Sequence, residues 1–287
     1  MTEPRAVSVA LQKGGVGKTT IAINVAERLS SRGNDVLLVD LDQQGNATEG
    51  IGLEDAYTAD DHIGDVLDDG DGVDVHDVIR ETEWFDVVPA HENLRSVETS
   101  IRNATFGELR VRNEIVEPLL GAEYDYVVVD TAPKIGPLSD SSLIATGNVI
   151  VPMLPSEPSI SGFERMVEQQ LDPLRREIDL DVLAVVPNRL EGDNEEKRVM
   201  AAIEESDFGD RVPMFGRTDE YEHDYPPGPG IRKRIAFRRA WRDGVPLAEH
   251  APQNDMVKRL DELAAIVEAG EIGVRTEDPF PEPDPYR

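Results

Sequence analysis

Short apolar runs alternate with longer amphipathic segments along most of the chain. Continuous apolar runs are typical of strands covered on both faces, as in a parallel sheet. Such runs, rich in Val, Ile and Leu, predict strands at 6–11, 34–42, 85–90, 124–133, 148–155 and 181–188. Helical patterns lie between them at 19–32, 92–120, 160–177 and 194–205. The alternation predicts a doubly wound α/β fold, with helices on both faces of a mostly parallel sheet.

Two acidic segments look different from the rest. Residues 51–79 carry ten acidic residues and no Lys or Arg, which indicates a solvated loop with a short helix. The proline-rich end at 276–287 is expected to be disordered, because it has little apolar surface to bury. We therefore expect one domain over 1–275, followed by this tail.

A last helix is expected within 252–270. Asn254 or Asp255 is expected near its cap, because a short polar side chain can accept hydrogen bonds from the first helical N–H groups. Gly270 is the expected stop, because glycine readily adopts the left-handed conformation in which helices end.

Composition restricts the protein class. The chain has 58 Asp and Glu against 29 Lys and Arg, a formal net charge of −29, which is typical of proteins from salt-accumulating halophiles, where high ionic strength screens self-repulsion. It has no cysteine, which excludes disulfides, thiolate metal sites and iron–sulfur ligation by this chain. No apolar run approaches the ~20 residues of a membrane span, and no signal peptide opens the chain, so we expect a cytoplasmic protein.

The stretch GGVGKTT at 14–20 follows a predicted strand and opens a predicted helix. Glycines there let backbone N–H groups wrap a polyphosphate, and the helix N-terminus adds a positive dipole end. The lysine of such a loop reaches the β- and γ-phosphates, and the hydroxyl after it ligates Mg²⁺. The nucleotide-binding residues predicted from this loop are Gly14, Gly15, Val16, Gly17, Lys18, Thr19 and Thr20.

The loop departs from the usual G-x-x-x-x-G-K-[ST] pattern. Gln12 stands where the first glycine is expected, and Lys13 adds a second lysine. The departure resembles the deviant Walker A loop of the ParA/MinD ATPases. Further matches extend the resemblance over roughly residues 5–270. They are the switch segment VDLDQQGNAT (39–48), the Walker B strand YDYVVVDTAP (124–133) and the segment VIVPMLPSEPSISGFERM (149–166).

The resemblance implies ATP and Mg²⁺ as ligands and an ATP-dependent homodimer. In this family the extra lysine crosses a two-fold interface, so Lys13 would act on the nucleotide of the partner subunit. There its charge would stabilise γ-phosphoryl transfer. The alternative is a solvent-exposed lysine beside the loop. With Lys18 and Asp42, Lys13 forms the predicted catalytic set.

Three acidic residues lie near the ends of predicted strands close to the loop. Asp42 is expected to position or activate the attacking water. Asp40 points the same way in an extended strand, and with Thr19 and Asp130 it forms the predicted Mg²⁺ site. The alternative for Asp40 and Asp130 is capping at a strand end. Gln43 replaces the usual proline of the family, so we expect a more flexible switch segment.

Asn188 ends the strand 181–188 at the edge where open α/β sheets bind ligands. The resemblance implies that it contacts the adenine base, and the alternative is an ordinary asparagine in a turn.

Members of this family move or position different molecules, and other features of the sequence indicate which class this chain resembles. Nitrogenase iron protein and the iron–sulfur carriers need cysteines, and MinD-type proteins end in a basic amphipathic helix; this chain has neither feature. The run IRKRIAFRRAWRDG (231–244) instead reverses the local charge and resembles the DNA-binding surface of ParA proteins, although Arg232 stands where the family usually has proline. The predicted contacts to DNA phosphates are Arg232, Lys233, Arg234, Arg238, Arg239 and Arg242. The alternative is a solvated face that pairs with nearby acids.

These features favour a partition ATPase of chromosomes or plasmids. It would bind DNA non-specifically as the ATP dimer, and a ParB-like or other partner would stimulate hydrolysis. Nucleoid association would follow from DNA binding, and no stable membrane binding is expected. One alternative is a MinD-like ATPase that positions a cell-division or membrane complex without binding DNA. Another is a metabolic ligase of the dethiobiotin-synthetase kind, against which Lys13 counts.

Overall fold

A computed structural model describes residues 3–68, 72–204, 215 and 230–270. The predicted tail 276–287 lies outside these residues, as does the end of the predicted domain after 270. The described residues form one seven-stranded sheet with helices around it.

The sheet contains seven parallel strands. They are β1 (Arg5–Val9), β2 (Val36–Asp40), β3 (Asp86–Val88), β4 (Tyr126–Asp130), β5 (Asn148–Met153), β6 (Asp181–Leu190) and β7 (Ile231–Arg232). Their order across the sheet is β3, β2, β4, β1, β5, β6, β7, and every neighbouring pair is parallel. The prediction of a doubly wound parallel α/β fold is confirmed.

The helices lie mostly between the strands, as the alternation predicts. They are α1 (Lys18–Ser31), α2 (Asn46–Gly50), α3 (Ile63–Leu67), α4 (Val75–Val78), α5 (Leu94–Asn103), α6 (Glu117–Leu119), α7 (Pro137–Thr146), α8 (Glu157–Met166), α9 (Asp172–Leu174), α10 (Asn194–Glu204), α11 (Ile235–Arg242), α12 (Leu247–His250) and α13 (Asp255–Ala269). Short 3₁₀ helices lie at Glu54–Thr58 and Gly107–Leu109. π-helical turns lie at Arg112–Val116 and Val167–Leu171.

Successive residues of the central strands face opposite sides of the sheet and serve separate cores. Leu38 packs in a cluster with α1 and α13, whereas its neighbours Leu37 and Val39 pack with α3 and α5. A third cluster surrounds β5 and α8 and contains Val151 and Met166. The strands are therefore buried on both faces, which explains their continuous apolar runs.

Residues 51–79 are more structured than their acidity indicates. Among the described residues of this segment, α3 and α4 bury Ile63, Leu67 and Val78 in the core beneath α5. The expected short helix is present, but the segment is not only a solvated loop, because most of its described acidic residues face outward while apolar residues at helical spacing face inward.

The predicted helix over 92–120 is interrupted. α5 ends at Asn103, and Phe106 has a φ of 58°, a left-handed conformation that is rare for a bulky side chain. A Cβ atom on Gly107 would lie 2.0 Å from the carbonyl oxygen of Ile101, so only glycine fits this close approach. The helical pattern resumes afterwards as a π turn and α6.

The predicted end signals of the last helix are confirmed. The Asn254 side chain accepts a hydrogen bond from the backbone N–H of Met256 at the start of α13. Gly270 has a φ of 81° and donates its N–H to the carbonyl of Ile266. The helix thus begins and ends as its sequence predicts.

We expect Arg32→Ala to lower the free energy of unfolding by about 1–3 kcal/mol, because it removes the only ion-pair partner that the described residues give to the mostly buried carboxylates of Asp261 and Glu268, although Asn34 still donates a hydrogen bond to Glu268. Arg32 joins the end of α1 to α13 through hydrogen bonds of 2.8–3.1 Å to Asp261 and Glu268. Urea unfolding followed by circular dichroism would measure the change.

Arg198→Ala is the matched control. Arg198 pairs with Glu195 on an exposed helix face, where its side chain is 81% exposed, and such pairs contribute about 0–1 kcal/mol. Equal losses for the two variants would contradict the role given to Arg32.

Candidate functional site

The loop after β1 turns sharply before α1, and glycine occupies the positions that require it. Gly15 and Gly17 have φ values of 76° and 95°, which other residues rarely adopt. At Gly17 a side chain is also blocked, because a Cβ atom would lie 2.2 Å from Nδ2 of Asn188. Val16 is fully buried and anchors the loop, whereas Gly14 is exposed. The loop ends at the N-terminus of α1, where free N–H groups can bind an anion.

The ammonium group of Lys18 is held inside the loop. Its Nζ donates to the carbonyl of Lys13 at 3.2 Å, and Lys18 is only 6% exposed. Burial lowers the pKa of Lys18, while the carboxylates of Asp130 and Asp42 oppose that shift. The lysine therefore lies in the loop beside both acids, where phosphate oxygens of a ligand could replace the carbonyl as its partner.

Asp130 ends β4 as a fully buried carboxylate. Neither of its carboxylate oxygens accepts a hydrogen bond of ordinary length and angle from a described residue. Burial, and then the carboxylate of Asp40, raises the pKa of Asp130 well above its ordinary value, while Thr19 and Lys18 oppose the rise. A buried carboxylate without donors is costly unless a cation or water reaches it.

The donor set at this place fits Mg²⁺, which prefers carboxylate and hydroxyl oxygens. Asp130 would hold the ion through water, and the Thr19 hydroxyl would bind it directly, which supplies a Lewis acid for phosphate oxygens. Within the described ranges, no group of three or more His, Cys, Asp or Glu side chains is assembled as a metal site. The phosphates of a bound nucleotide would supply further oxygen ligands.

Asp40 lies beside Asp130 in the parallel register of β2 and β4. Its Oδ2 accepts hydrogen bonds from the N–H (2.9 Å) and hydroxyl (2.8 Å) of Thr48, and its Oδ1 accepts from the N–H of Asp42 (3.1 Å). Burial raises the pKa of Asp40 to about 6. The carboxylate thus fastens α2 to the end of β2. Its contact with the Mg²⁺ shell stays a prediction.

Asp42 lies on the switch segment just beyond β2. It is 6% exposed, and its Oδ1 accepts a hydrogen bond from the N–H of Gln44 at 3.0 Å. Its charge acts on Lys18, so it lies close to the phosphate loop. The second carboxylate oxygen has no hydrogen bond to a residue that the structure describes, and it could orient a water molecule.

The switch segment is anchored although it lacks the usual proline. The carbonyl of Gln43 accepts a hydrogen bond from the hydroxyl of Tyr57 at 2.7 Å. Gly45 has a φ of 61°, and a Cβ atom there would lie 2.6 Å from the ring of Tyr57. These contacts tie the segment to the 3₁₀ helix at 54–58. The expected flexibility is therefore opposed by packing that the motif alone does not show.

Lys13 is half-buried beside the loop. Its backbone is fixed at both groups, because its N–H donates to Leu11 at 2.8 Å and its carbonyl accepts from Lys18. Its side chain forms no ion pair with a described residue, although acids greatly outnumber bases in the chain. The ammonium group is available for a ligand or a second subunit.

A cavity of about 550 Å³ opens beside the loop. Thr20 and Asn188 line the side of the cavity next to α1. Asn188 is 4% exposed, donates from Nδ2 to the carbonyl of Val16 at 2.7 Å, and accepts the N–H of Arg189 at 2.8 Å. It therefore supports the loop directly, and its contact with adenine stays a prediction. The remaining lining residues are Arg189, Arg232, Lys233, Arg234, Ile235, Phe237, Arg238 and Trp241.

The basic run divides into paired and unpaired cations. Lys233 pairs with Glu191, Arg234 with Asp255 and Arg242 with the neighbouring Asp243. These pairs are what the solvated-face alternative expects.

The other three cations of the run form no ion pair with a described residue. Arg238 and Arg239 lie exposed on α11. Arg232 lies on β7. The pKa of Asp255 is lowered mainly by its hydrogen bond from Arg234, and the charge of Arg232 adds a smaller effect. Arg238 and Arg239 are therefore the cations of α11 with most freedom to meet a phosphate.

The structure brings most of the predicted site together and separates the rest. The phosphate loop, Asp40, Asp42 and Asp130 meet at the carboxyl edge of the sheet. Arg232, Lys233, Arg234 and Arg238 of the basic run line the same cavity as Thr20, whereas Arg239 and Arg242 lie outside it.

Thr48 and Arg189 were missed by sequence reasoning. Thr48 stands within the quoted switch motif, so its hydroxyl could have been suspected. The φ of 59° at Arg189 has no sequence signal.

No helix among the described residues combines the length and apolarity needed to cross a membrane.

Comparison with known proteins places this site in a family. Residues 4–181 match the model of the AAA domain family AAA_31. The chain is 30% identical over 270 residues to the uncharacterized protein MJECL24 of Methanocaldococcus jannaschii, covering 91% of this chain and 97% of that one. It is 34% identical over 163 residues to the sporulation initiation inhibitor protein Soj of Bacillus subtilis, covering 56% of this chain and 62% of Soj.

A solved structure shows the same fold. The ATP complex of a Cyanothece McdA variant superposes with a TM-score of 0.78 at 19% identity, covering 94% of this chain and 98% of McdA. The family match extends over more than half of the chain and contains the phosphate loop, the switch segment and Asp130. The chain therefore belongs to the AAA domain family AAA_31, and its two-lysine loop together with relatives such as Soj identifies it as a ParA/MinD-type P-loop ATPase.

Proposed function

We propose that the protein is a partition ATPase, built on a single domain over 1–275, that hydrolyses ATP to ADP and phosphate with Mg²⁺. ATP closes a homodimer, the dimer binds DNA without sequence preference, and a ParB-like or other partner stimulates hydrolysis and release. The observation that carries the proposal is the phosphate loop itself. It holds one lysine buried beside Asp130 and Asp42, and a second lysine whose side chain is unpaired among the described residues.

The different environments of the two lysines support different roles for them. Lys18 would neutralise the β- and γ-phosphates of its own subunit, because it is buried at the loop. Lys13 would complete the site of the partner subunit, where an added cation stabilises charge that develops on the transferred phosphoryl group. The unpaired cation would then find its counter-charge only in the ATP-bound dimer, which couples nucleotide occupancy to association.

DNA binding is supported by the charge reversal on α11. Arg238 and Arg239 form no ion pair with a described residue, and a two-fold dimer would double their number. Such contacts would reach phosphates rather than base edges. The cargo would be a chromosome or plasmid, and the protein would lie on the nucleoid in the cytoplasm. A relative named for such a role is the chromosome partitioning protein ParA of Myxococcus xanthus, which is 34% identical over 180 residues.

A second candidate is a MinD-like ATPase that positions a surface complex without binding DNA. The observation that favours it is the pairing of Lys233, Arg234 and Arg242 with acids of the same chain. Retention of the protein on duplex DNA, with and without ATP in high KCl, distinguishes the two candidates. ATP-dependent retention supports the partition ATPase, and its absence supports the surface-positioning ATPase.

Lys13→Ala should retain ATP binding and lose ATP-dependent dimerisation. Turnover should fall at least about a hundredfold, the range for removing one transition-state donor. Light scattering with a non-hydrolysable ATP analogue measures the dimer. Lys18→Ala is the contrasting variant, because it should lose nucleotide binding itself. A normal ATP dimer of Lys13→Ala would exclude the role in trans.

Asp42→Ala should form a long-lived ATP dimer. Without a group to orient water, hydrolysis should slow by about 10²–10⁴-fold while the phosphate and Mg²⁺ contacts persist. Single-turnover hydrolysis and dimer lifetime, measured on the same sample, test this pair of effects. Hydrolysis at the parental rate would move the water-orienting role elsewhere, with Asp40 as the first candidate.

Arg239→Glu should weaken binding to every duplex about equally. Each lost phosphate contact should lower the slope of log affinity against log salt by about one, or about two per dimer. Arg239 is the preferred site because it lies outside the cavity that Arg238 lines. Salt titrations on two unrelated duplexes measure the slope.

Arg198→Glu is the control for a general change of charge, since Arg198 lies on another exposed helix. Unchanged DNA affinity in Arg239→Glu would contradict the DNA-binding assignment of α11.

A further inference from the structure

A buried glutamine joins the beginning of the phosphate loop to α7. Gln170 is 2% exposed and lies in the π-helical turn between α8 and α9. Its Oε1 accepts a hydrogen bond from Nε2 of Gln12 at 3.1 Å, and its Nε2 donates to Oγ of Ser139 at 2.8 Å and to Oδ1 of Asp140 at 2.7 Å. Both ends of the amide are therefore engaged.

The partners fix the direction of this amide. A carboxylate oxygen can only accept, so the Gln170 nitrogen must face Asp140 and its oxygen must face Gln12. Burial raises the pKa of Asp140, and the hydrogen bond from Gln170 opposes the rise. A hydrocarbon side chain of the same size could fill the space of Gln170, but it could satisfy neither neighbour.

The π turn places Gln170 at this point. One extra residue in a helical turn rotates everything after it by about 100° around the helix axis. Because the turn covers Val167–Leu171, it decides which side chain of the helix faces Gln12 and α7. π turns occur frequently at functional sites, and no sequence pattern predicts this one.

Gln12 connects the Gln170 amide to the phosphate loop. It immediately precedes Lys13, whose carbonyl holds the Lys18 ammonium. On the other side of the bridge, α7 begins directly after the loop that follows Asp130. The Gln170 amide thus connects the segment carrying both lysines with the segment that follows the Mg²⁺-site carboxylate.

We propose that Gln170 is a positioning residue for ATP turnover. Through Gln12 it holds the peptide of Lys13 at the angle from which the side chain reaches the nucleotide of the partner subunit. The inference rests on the proposed function, because it assumes that Lys13 acts in an ATP dimer. Gln170 itself touches neither nucleotide nor Mg²⁺.

Gln170→Leu tests the role. We expect kcat to fall about ten- to a hundredfold, the range for misplacement by a distant residue, and the ATP dimer to weaken. The Kd of the monomer for ATP should change less than about twofold, since Lys18 and the loop glycines remain. Parental kcat and dimerisation in this variant would overturn the inference.

An exchange of amide and carboxyl separates positioning from general stability. Gln170→Glu alone sets two carboxylates against each other and should also lose turnover. In the double variant Gln170→Glu/Asp140→Asn, the asparagine donates to the glutamate, which still accepts from Gln12. We expect kcat to return to within about threefold of the parental value. A double variant as poor as Gln170→Glu would overturn the inference.

The parental protein distinguishes the two levels of failure. If it forms no dimer with a non-hydrolysable ATP analogue, the proposed function fails, and this inference fails with it. If it dimerises and Gln170→Leu behaves identically, only the inference about Gln170 fails. Thermal unfolding of every variant identifies a loss that comes from folding, and the exchange variant then decides the question.

Discussion

The parallel register of β2, β4 and β1 is the constraint on which the site depends. Val9 pairs with Asp130, and Asp130 pairs with Asp40, so three strands end side by side. The phosphate loop must therefore begin beside two buried carboxylates. Burial raises the pKa of both acids. Lys18 lies close enough to Asp130 for its positive charge to oppose part of the rise in the pKa of that residue. A triphosphate would add more negative charge here, which explains in electrostatic terms why the proposed reaction needs a divalent cation.

Local signals in the sequence were sufficient for the parallel sheet and for the phosphate loop. Strands buried on both faces appear as apolar runs, and the glycines, Lys18 and Thr19 lie within seven consecutive residues. Contacts between distant segments were not predictable in this way. Gln12 and Gln170 are separated by 158 positions, and no residue pattern in the sequence marks the π turn that brings them together.

The charges in the sequence did not show which cations of the basic run are paired within the chain. The run was visible as a reversal of sign, but Lys233 pairs with Glu191 and Arg234 with Asp255, from segments far apart in the sequence. With Arg242, which pairs with its neighbour Asp243, half of the six predicted DNA contacts are engaged within the chain. For Lys233 and Arg234, only the tertiary structure shows the pairing. The switch segment illustrates the same limit, because Tyr57 supplies through packing a restraint that the motif lacks without its proline.

The location of α11 connects the two proposed activities physically. Arg238 lines the cavity beside Thr20 and Asn188, while Arg239 lies outside that cavity on the same short helix. A ligand in the cavity would change the electrostatic surroundings of one arginine and the packing of the helix that carries the other. In a chain of net charge −29, most of the surface would repel a duplex, so the proposed DNA binding would depend on the exposed cations of α11. The nucleotide site and the DNA surface would then be coupled within one subunit as well as through the dimer.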